Sequence, residues 1–319
     1  MIDNYGRNIN YMRISITDRC NLRCRYCMPK DVELTSMEEL LTYEEIVSVC
    51  RQAVSLGINR FKITGGEPLV RRNVDGLIAM IKEIQGVEQV TLTTNGILLK
   101  DYAKKLKKSG LDGVNVSLDT MDAEKFYEIT GFKALDKVLE GIDAALQAGL
   151  QVKINCVLTK DNAEYESLIT YAEEKGIKIR FIEMMPIGYG KRQEGISNQW
   201  LLEQLEIKYG EPEIISGELG NGPAVYYRFQ KKNVLIGFIS AIHGKFCNSC
   251  NRIRMTALGD IKPCLCFDNI ISVKEPLRAG NMDEVKIRLK KAIEQKPYAH
   301  CFEEIDKITE EKKMNQIGG

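Results

Sequence analysis

Tyr11-Met12-Arg13-Ile14-Ser15-Ile16-Thr17-Asp18-Arg19-Cys20-Asn21-Leu22-Arg23-Cys24-Arg25-Tyr26-Cys27 begins with strict alternation and ends with three thiols in eight positions. Alternation of this kind is a strand, with Met12, Ile14 and Ile16 on one face and Arg13, Ser15 and Thr17 on the other. The same split recurs down the chain. Phe61 and Ile63 oppose Lys62 and Thr64, Val90 and Leu92 oppose Thr91 and Thr93, and Val114 and Val116 oppose Asn115 and Ser117. Val152, Ile154 and Cys156 oppose Lys153 and Asn155, and Ile179 and Phe181 oppose Arg180.

Six strand-like runs therefore start at Tyr11, Arg60, Gln89, Gly113, Gln151 and Lys178, with helical stretches between them. Thr42-Tyr43-Glu44-Glu45 reads as a capping box whose helix stops near Gly57, and further helices precede Gly86, Gly110, Gly149 and Gly176. Repeated βα units imply a parallel sheet with right-handed crossovers. A closed eight-stranded barrel fills its lumen with apolar branched side chains, and a doubly wound sheet is apolar on both faces. Neither suits strands that are polar on one face. The pattern predicts an α/β fold in which six βα units form an incomplete barrel, apolar outside and polar within. Arg13, Lys62, Lys153 and Arg180 would converge in that lumen, and desolvating unpaired cations costs several kcal/mol each. Such a lumen calls for a polyanionic ligand.

Composition narrows the classes further. The 319 residues carry 45 basic and 44 acidic side chains, for a net charge of +1, so no global field draws the chain to nucleic acid or to a membrane. The first residues lack a signal-peptide pattern and no window is a continuous apolar span, which predicts a soluble, cytoplasmic protein. In a reducing compartment the ten cysteines are ligands or core fillers before they are disulfides. Cys50, Cys156 and Cys301 stand apart and read as core. After Pro186 the βα rhythm ends, and GYGKRQEGISN reads as a linker, giving a barrel over 1–188 and a smaller α+β domain over 189–319. The latter should hold a helix around Gln199 to Lys208 and strands near Ala224 to Gln230 and Asn233 to Ile242.

Two cysteine sets remain. Cys20, Cys24 and Cys27 follow the first strand and so lie at its C-terminal end, where βα loops carry active sites. Zinc would want a fourth ligand, and the two histidines, His243 and His300, are far away. Three thiolates on a [4Fe-4S] cluster leave one iron open to a small molecule. Cys247, Cys250 and Cys264 form the second set; Cys266 offers a fourth ligand, so spacing alone leaves a zinc ribbon and a cluster both open.

C-x3-C-x2-C with an aromatic before the last cysteine resembles the radical S-adenosylmethionine (SAM) superfamily. That likeness implies that the open iron binds SAM, with contacts from Tyr26, Gly66 in the Thr64-Gly65-Gly66-Glu67-Pro68 loop, Ser117 and Met185. Over the whole chain RISITDRCNLRCRYCMP, ITGGEPLVR, LTTNG, NVSLDT, RFIEMMPIG, FCNSCNRIRMTALGDIKPCL and the terminal Gly318-Gly319 are similar to the family of GTP 3′,8-cyclases of molybdenum cofactor biosynthesis. The resemblance implies a second [4Fe-4S] cluster on Cys247, Cys250 and Cys264, with Cys266 a bystander. It implies GTP contacts from Arg13, Lys62, Thr93, Lys153, Arg252 and Arg254, and a catalytic role for Gly318 and Gly319. Lys62 stands where the family pattern has arginine. The implied chemistry is hydrogen abstraction from C3′ of GTP and joining of C3′ to guanine C8. The partners implied are a reductant and cyclic pyranopterin monophosphate synthase, which takes the product; a monomer or homodimer is expected. The competing readings are a peptide-modifying radical SAM maturase, for which ten residues ahead of the first strand leave no N-terminal module, and a non-catalytic iron-sulfur or zinc protein.

Overall fold

The computed structural model describes residues 1–28, 32–217 and 219–318. Six βα repeats build its first part: β1 (Tyr11–Ser15), α1 (Tyr43–Ser55), β2 (Arg60–Thr64), α2 (Val74–Lys82), β3 (Gln89–Thr94), α3 (Leu99–Lys108), β4 (Gly113–Ser117), α4 (Ala123–Thr130), α5 (Leu135–Gln147), β5 (Gln151–Cys156), α6 (Glu166–Glu174) and β6 (Lys178–Ile182). The predicted capping box is present: the Glu45 amide donates to Thr42 Oγ1 at 3.2 Å and the Thr42 amide donates to Glu45 Oε2 at 2.7 Å. α1 ends at Ser55 and Gly57 takes a φ of 89°, the left-handed turn that lets a helix stop. α4 went unread in the sequence because α4 and α5 share one crossover.

The remaining elements are α7 (Asn198–Tyr209), β7 (Pro212–Ile215), β8 (Val225–Phe229), β9 (Ile236–Ile239), β10 (Arg252–Met255), β11 (Asp260–Lys262), β12 (Ile271–Ser272), α8 (Lys274–Arg278), α9 (Met282–Glu294) and α10 (Met314–Ile317). They do not build a separate sheet. β1 to β6 pair in order, β10 adds in parallel to β1, and β9 adds in parallel to β6, with β11, β12, β8 and β7 continuing antiparallel beyond them. The C-terminal third thus extends both edges of the incomplete barrel. The segment expected to be a linker is a packed turn over Gly188–Arg192, tied to the barrel where the Lys160 amide donates to the Glu194 carbonyl at 2.9 Å.

The alternation sorts as read. Met12, Ile14, Ile16, Phe61, Ile63, Val90, Leu92, Val114, Val116, Val152, Ile154, Cys156, Ile179 and Phe181 are buried in one apolar core beneath the helices. Arg13, Lys62, Thr91, Thr93, Asn115, Lys153, Asn155 and Arg180 line a cavity inside the sheet. No helix among the described residues is long and apolar enough to cross a membrane.

Candidate active site

The lumen has two connected chambers. The lower one, at the N-terminal ends of the strands, is lined by Tyr11, Arg13, Lys62, Lys153, Arg180 and Arg252 and is bordered by Gly220 to Pro223. The upper one, at the C-terminal ends, is lined by Cys20, Cys24, Cys27, Tyr26, Gly66, Ser117, Met185 and Arg254. Arg13, Thr93, Asn155 and Ile182 line both. β-register explains the cation ring: Arg13 pairs with Lys62 on one side and Arg254 on the other.

No carboxylate is found among the described residues lining the lower chamber. Burial pushes Lys62 well below the usual lysine range, and Arg180, Arg13, Lys153 and Arg252 push it further. Burial, then Arg180 and Lys178, brings Lys153 down to about 8. Arg254 is lowered by burial, then by Arg13 and Arg252. Arg180 donates to Asn155 Oδ1 from Nε at 2.9 Å and from Nη2 at 2.6 Å, and the Lys153 ammonium donates to the Leu219 carbonyl. Neutral acceptors of this kind orient the cations without cancelling their charge. The arrangement is complementary to a polyanion.

In the upper chamber burial raises Cys20 to about 11 and Cys27 to about 12, and Cys24 is pushed well up by burial, then by Cys27, Asp119 and Cys20. Three clustered thiols that resist ionising in the protein alone become stable thiolates when a cationic metal group neutralises them. Their donor chemistry fits a [4Fe-4S] cluster with one open iron. The Gly65-Gly66 loop lies directly against Thr17 to Arg19; a Cβ on Gly66 would sit 2.4 Å from the Arg19 carbonyl oxygen. Only glycine permits that approach.

Glu67, which the sequence reading passed over, secures this loop. It accepts from Thr94 Oγ1 at 2.8 Å and from the amides of Leu69 and Asn95 at 3.0 and 2.7 Å. Burial still lifts it to about 7 against these bonds. Tyr26 donates its hydroxyl to Asp119 Oδ2 at 2.6 Å, which fixes its ring at the chamber wall. Both acids sit just after the motif residues, yet their partners lie 27 and 93 residues away, so local pattern gives no sign of them.

The second thiol set lies at the other end of the strands, just ahead of β10 and just after β11. Cys247, Cys250 and Cys264 interact electrostatically with one another. Burial raises Cys250, but Lys296, Arg252 and Arg7 outweigh it and bring the thiol to about 7. These thiols too fit a cluster, in cationic rather than acidic surroundings. Cys266, which also interacts with Cys264, has its sulfur 3.3 Å from that of Cys301. Cys301 is therefore not the isolated core residue expected; the chain after α9 folds back over the β11–β12 connection and meets it. Among the described residues no three histidine, cysteine, aspartate or glutamate side chains close around a single metal ion.

The C-terminal segment runs from this region into the upper chamber. Glu310, 1% exposed, pairs with Lys262, 0% exposed, and Asn315 Nδ2 donates to the Asp18 carbonyl at 3.0 Å. Arg254 Nη1 donates to the Gly318 carbonyl at 2.9 Å. Gly318 has a φ of 74°, and a Cβ there would lie 3.0 Å from Ser15 Cβ and 3.1 Å from Thr64 Cγ2. Gly319 lies outside the described residues. The chain as far as Gly318 is held inside the barrel, where composition alone would suggest a frayed terminus.

Comparison with known proteins agrees with this geometry. The Radical SAM superfamily model matches residues 14–184, and the Molybdenum Cofactor Synthesis C model matches residues 177–302. GTP 3′,8-cyclase of Clostridium perfringens strain 13 is 44% identical over 326 residues, covering 100% of both chains. That of Heliobacterium modesticaldum is 42% identical over 329 residues, again covering 100% of both. Among solved structures, Streptococcus suis SuiB bound to S-adenosylmethionine matches with a TM-score of 0.64 at 20% identity, covering 88% of this chain and 68% of that one; this is likeness of fold. With two thiol sets, a cationic lumen and relatives similar over their full length, the chain belongs to the GTP 3′,8-cyclase family of the radical SAM superfamily.

Proposed function

We propose that this chain is a radical SAM lyase that converts GTP to 3′,8-cyclo-7,8-dihydro-GTP, the first step of molybdenum cofactor biosynthesis. The observation that carries the reading is the lower chamber of the lumen: buried cations with no carboxylate among the described residues that line it, in a chain that also carries two cysteine sets. Its cofactors are SAM and two [4Fe-4S] clusters. Cys20, Cys24 and Cys27 would hold the first, with Tyr26, Gly66, Ser117 and Met185 around SAM. Cys247, Cys250 and Cys264 would hold the second, whose open iron would take the guanine.

When bound and reduced, the first cluster and SAM would supply a 5′-deoxyadenosyl radical that takes the C3′ hydrogen of GTP as 5′-deoxyadenosine; closure of C3′ onto guanine C8 opens the C8–N7 double bond, and one further electron and a proton at nitrogen complete the dihydro product. The chain's own residues do the positioning. Arg13, Lys62, Lys153 and Arg252 hold the triphosphate, Thr93 sits between the chambers, and Arg254 holds Gly318 near the reacting ribose. A carbon radical attacks what is nearest, so water exclusion and a fixed C3′ position govern the outcome. Both electrons, one for SAM cleavage and one for the cyclised nucleotide, come from an external reductant, and the product passes to cyclic pyranopterin monophosphate synthase in the cytoplasm; the chain acts as a monomer or homodimer.

The test is anaerobic reconstitution followed by incubation with SAM, GTP and dithionite. Formation of 5′-deoxyadenosine together with the cyclised nucleotide supports the reading. SAM cleavage without any cyclised nucleotide, in a chain holding both clusters, overturns it.

A further inference from the structure

Lys296 follows α9 and is 4% exposed, yet its ammonium has a full set of three acceptors. Nζ donates to the Arg252 carbonyl at 2.8 Å, to the Pro263 carbonyl at 2.9 Å and to Cys250 Sγ at 3.6 Å. One carbonyl belongs to the strand that follows Cys250, and the other immediately precedes Cys264. A single side chain therefore bridges the two segments that carry the second thiol set. The segment bearing Lys296 is itself fixed: Arg7 donates to the carbonyls of Pro297 and Tyr298 at 2.8 and 2.9 Å, and to that of Cys247 at 3.0 Å.

A buried lysine costs several kcal/mol of desolvation unless something anionic faces it. Neutral carbonyls meet two of its protons and Cys250 Sγ the third; as a cluster ligand that sulfur would carry the anionic charge that faces the lysine. Hydrogen bonds and positive charge at a cluster sulfur stabilise the reduced, more anionic state and so raise the reduction potential. We propose that Lys296 is a positioning residue of the second cluster, which both clamps the Cys250 and Cys264 segments together and raises that cluster's potential. The inference rests on the reading that Cys247, Cys250 and Cys264 hold a cluster. Nothing in the sequence marks Lys296, since it lies 46 residues from Cys250.

The experiment compares the reconstituted full chain with Lys296→Met, Lys296→Gln and Lys296→Arg, reading iron and sulfide content and the EPR-monitored midpoint of each cluster. In the Met and Gln variants the second cluster's midpoint should fall while that of the first stays fixed. Where the Met variant does not retain the second cluster, the Arg variant should retain it, because charge and reach are preserved. An unchanged second midpoint in a Met variant with both clusters overturns the inference, as does an Arg variant that loses the second cluster. A wild-type chain that takes up only one cluster's iron overturns the underlying assignment instead.

Discussion

The two thiol sets differ in what surrounds them. The first has acids beside it: burial is the main reason that Cys20 and Cys24 are raised, and Glu67 adds to it at Cys20 and Asp119 at Cys24. The second sits among cations, with Lys296, Arg252 and Arg7 all favouring the Cys250 thiolate. The difference matches the ligands at each end. SAM carries a sulfonium and an ammonium against one carboxylate, so acids suit it, whereas a nucleoside triphosphate needs cations. With clusters in place the same difference would bear on their electrochemistry, since negative surroundings lower a cluster's potential and positive ones raise it. A strongly reducing first cluster is what one-electron cleavage of a sulfonium requires.

Removing ligands breaks the comparison most severely. Cys24→Ala should abolish SAM cleavage and leave about four of about eight iron atoms per chain. Cys264→Ala should lose a similar amount of iron yet still cleave SAM, because its partners lie at the opposite strand ends. Iron analysis and 5′-deoxyadenosine release check both. Loss of all iron in the Cys264 variant would show that the two sites are not independent.

Next in size is the tail that joins the two ends. Deleting Gly318 and Gly319 should leave both clusters and GTP affinity nearly intact and remove most cyclised product. Gly318→Ala should approach the same result, since its Cβ would press on Ser15 and Thr64 from a positive φ. Product assay alongside GTP titration separates this from a binding defect; full turnover in the truncated chain would contradict a role for the tail.

How these features could be read in advance differed by region as well. Around the first set most ingredients are local, Glu67 and Asp119 with their remote partners excepted: a period of two gives the lumen, and three cysteines in one loop give the cluster. Lys62, Lys153 and Arg180 could be placed because strand alternation fixes facing without knowledge of the partner. The second region resisted because its contacts are remote. Arg7 reaches Cys247 across 240 residues and Cys266 meets Cys301 across 35, and no periodicity encodes such pairs. β10, β11 and β12 are two to four residues long, too short for alternation to show, so the extension past β1 was not legible; β8 and β9 were legible as strands, but nothing local shows that they join the sheet at β6.

A smaller effect tests the cationic half alone. Lys153→Ala and Arg252→Ala should each weaken GTP binding by about 1.5 to 3 kcal/mol, roughly 10- to 150-fold, the range for a charge-assisted phosphate contact. SAM affinity should not move. Calorimetric titration of each ligand checks this, and unchanged GTP affinity in both variants would rule out the triphosphate placement.

The subtlest test uses protons. Lys153 in the empty protein titrates at about 8, below the usual lysine value of 10.5, so a growing fraction is neutral as pH rises through 8. A bound polyanion favours the charged form and restores the proton. GTP affinity should therefore be greatest below pH 8 and fall above it, by up to tenfold per unit until the Lys153→Ala level is reached, with net proton uptake on binding. The empty protein changes in the opposite sense: because the unfolded chain holds this proton up to 10.5, stability rises with pH between about 8 and 10.5. Lys62, lowered by burial and then by its cationic neighbours, adds to the uptake. Calorimetry in buffers of different ionisation enthalpy measures it directly. Lys153→Arg, whose charge survives across this range, should flatten the affinity profile above pH 8. SAM binding among the acids of the first site should show no matching loss. Identical binding heats in all buffers would mean that these lysines are already charged in the empty lumen, and that the cation ring is better screened than its burial implies.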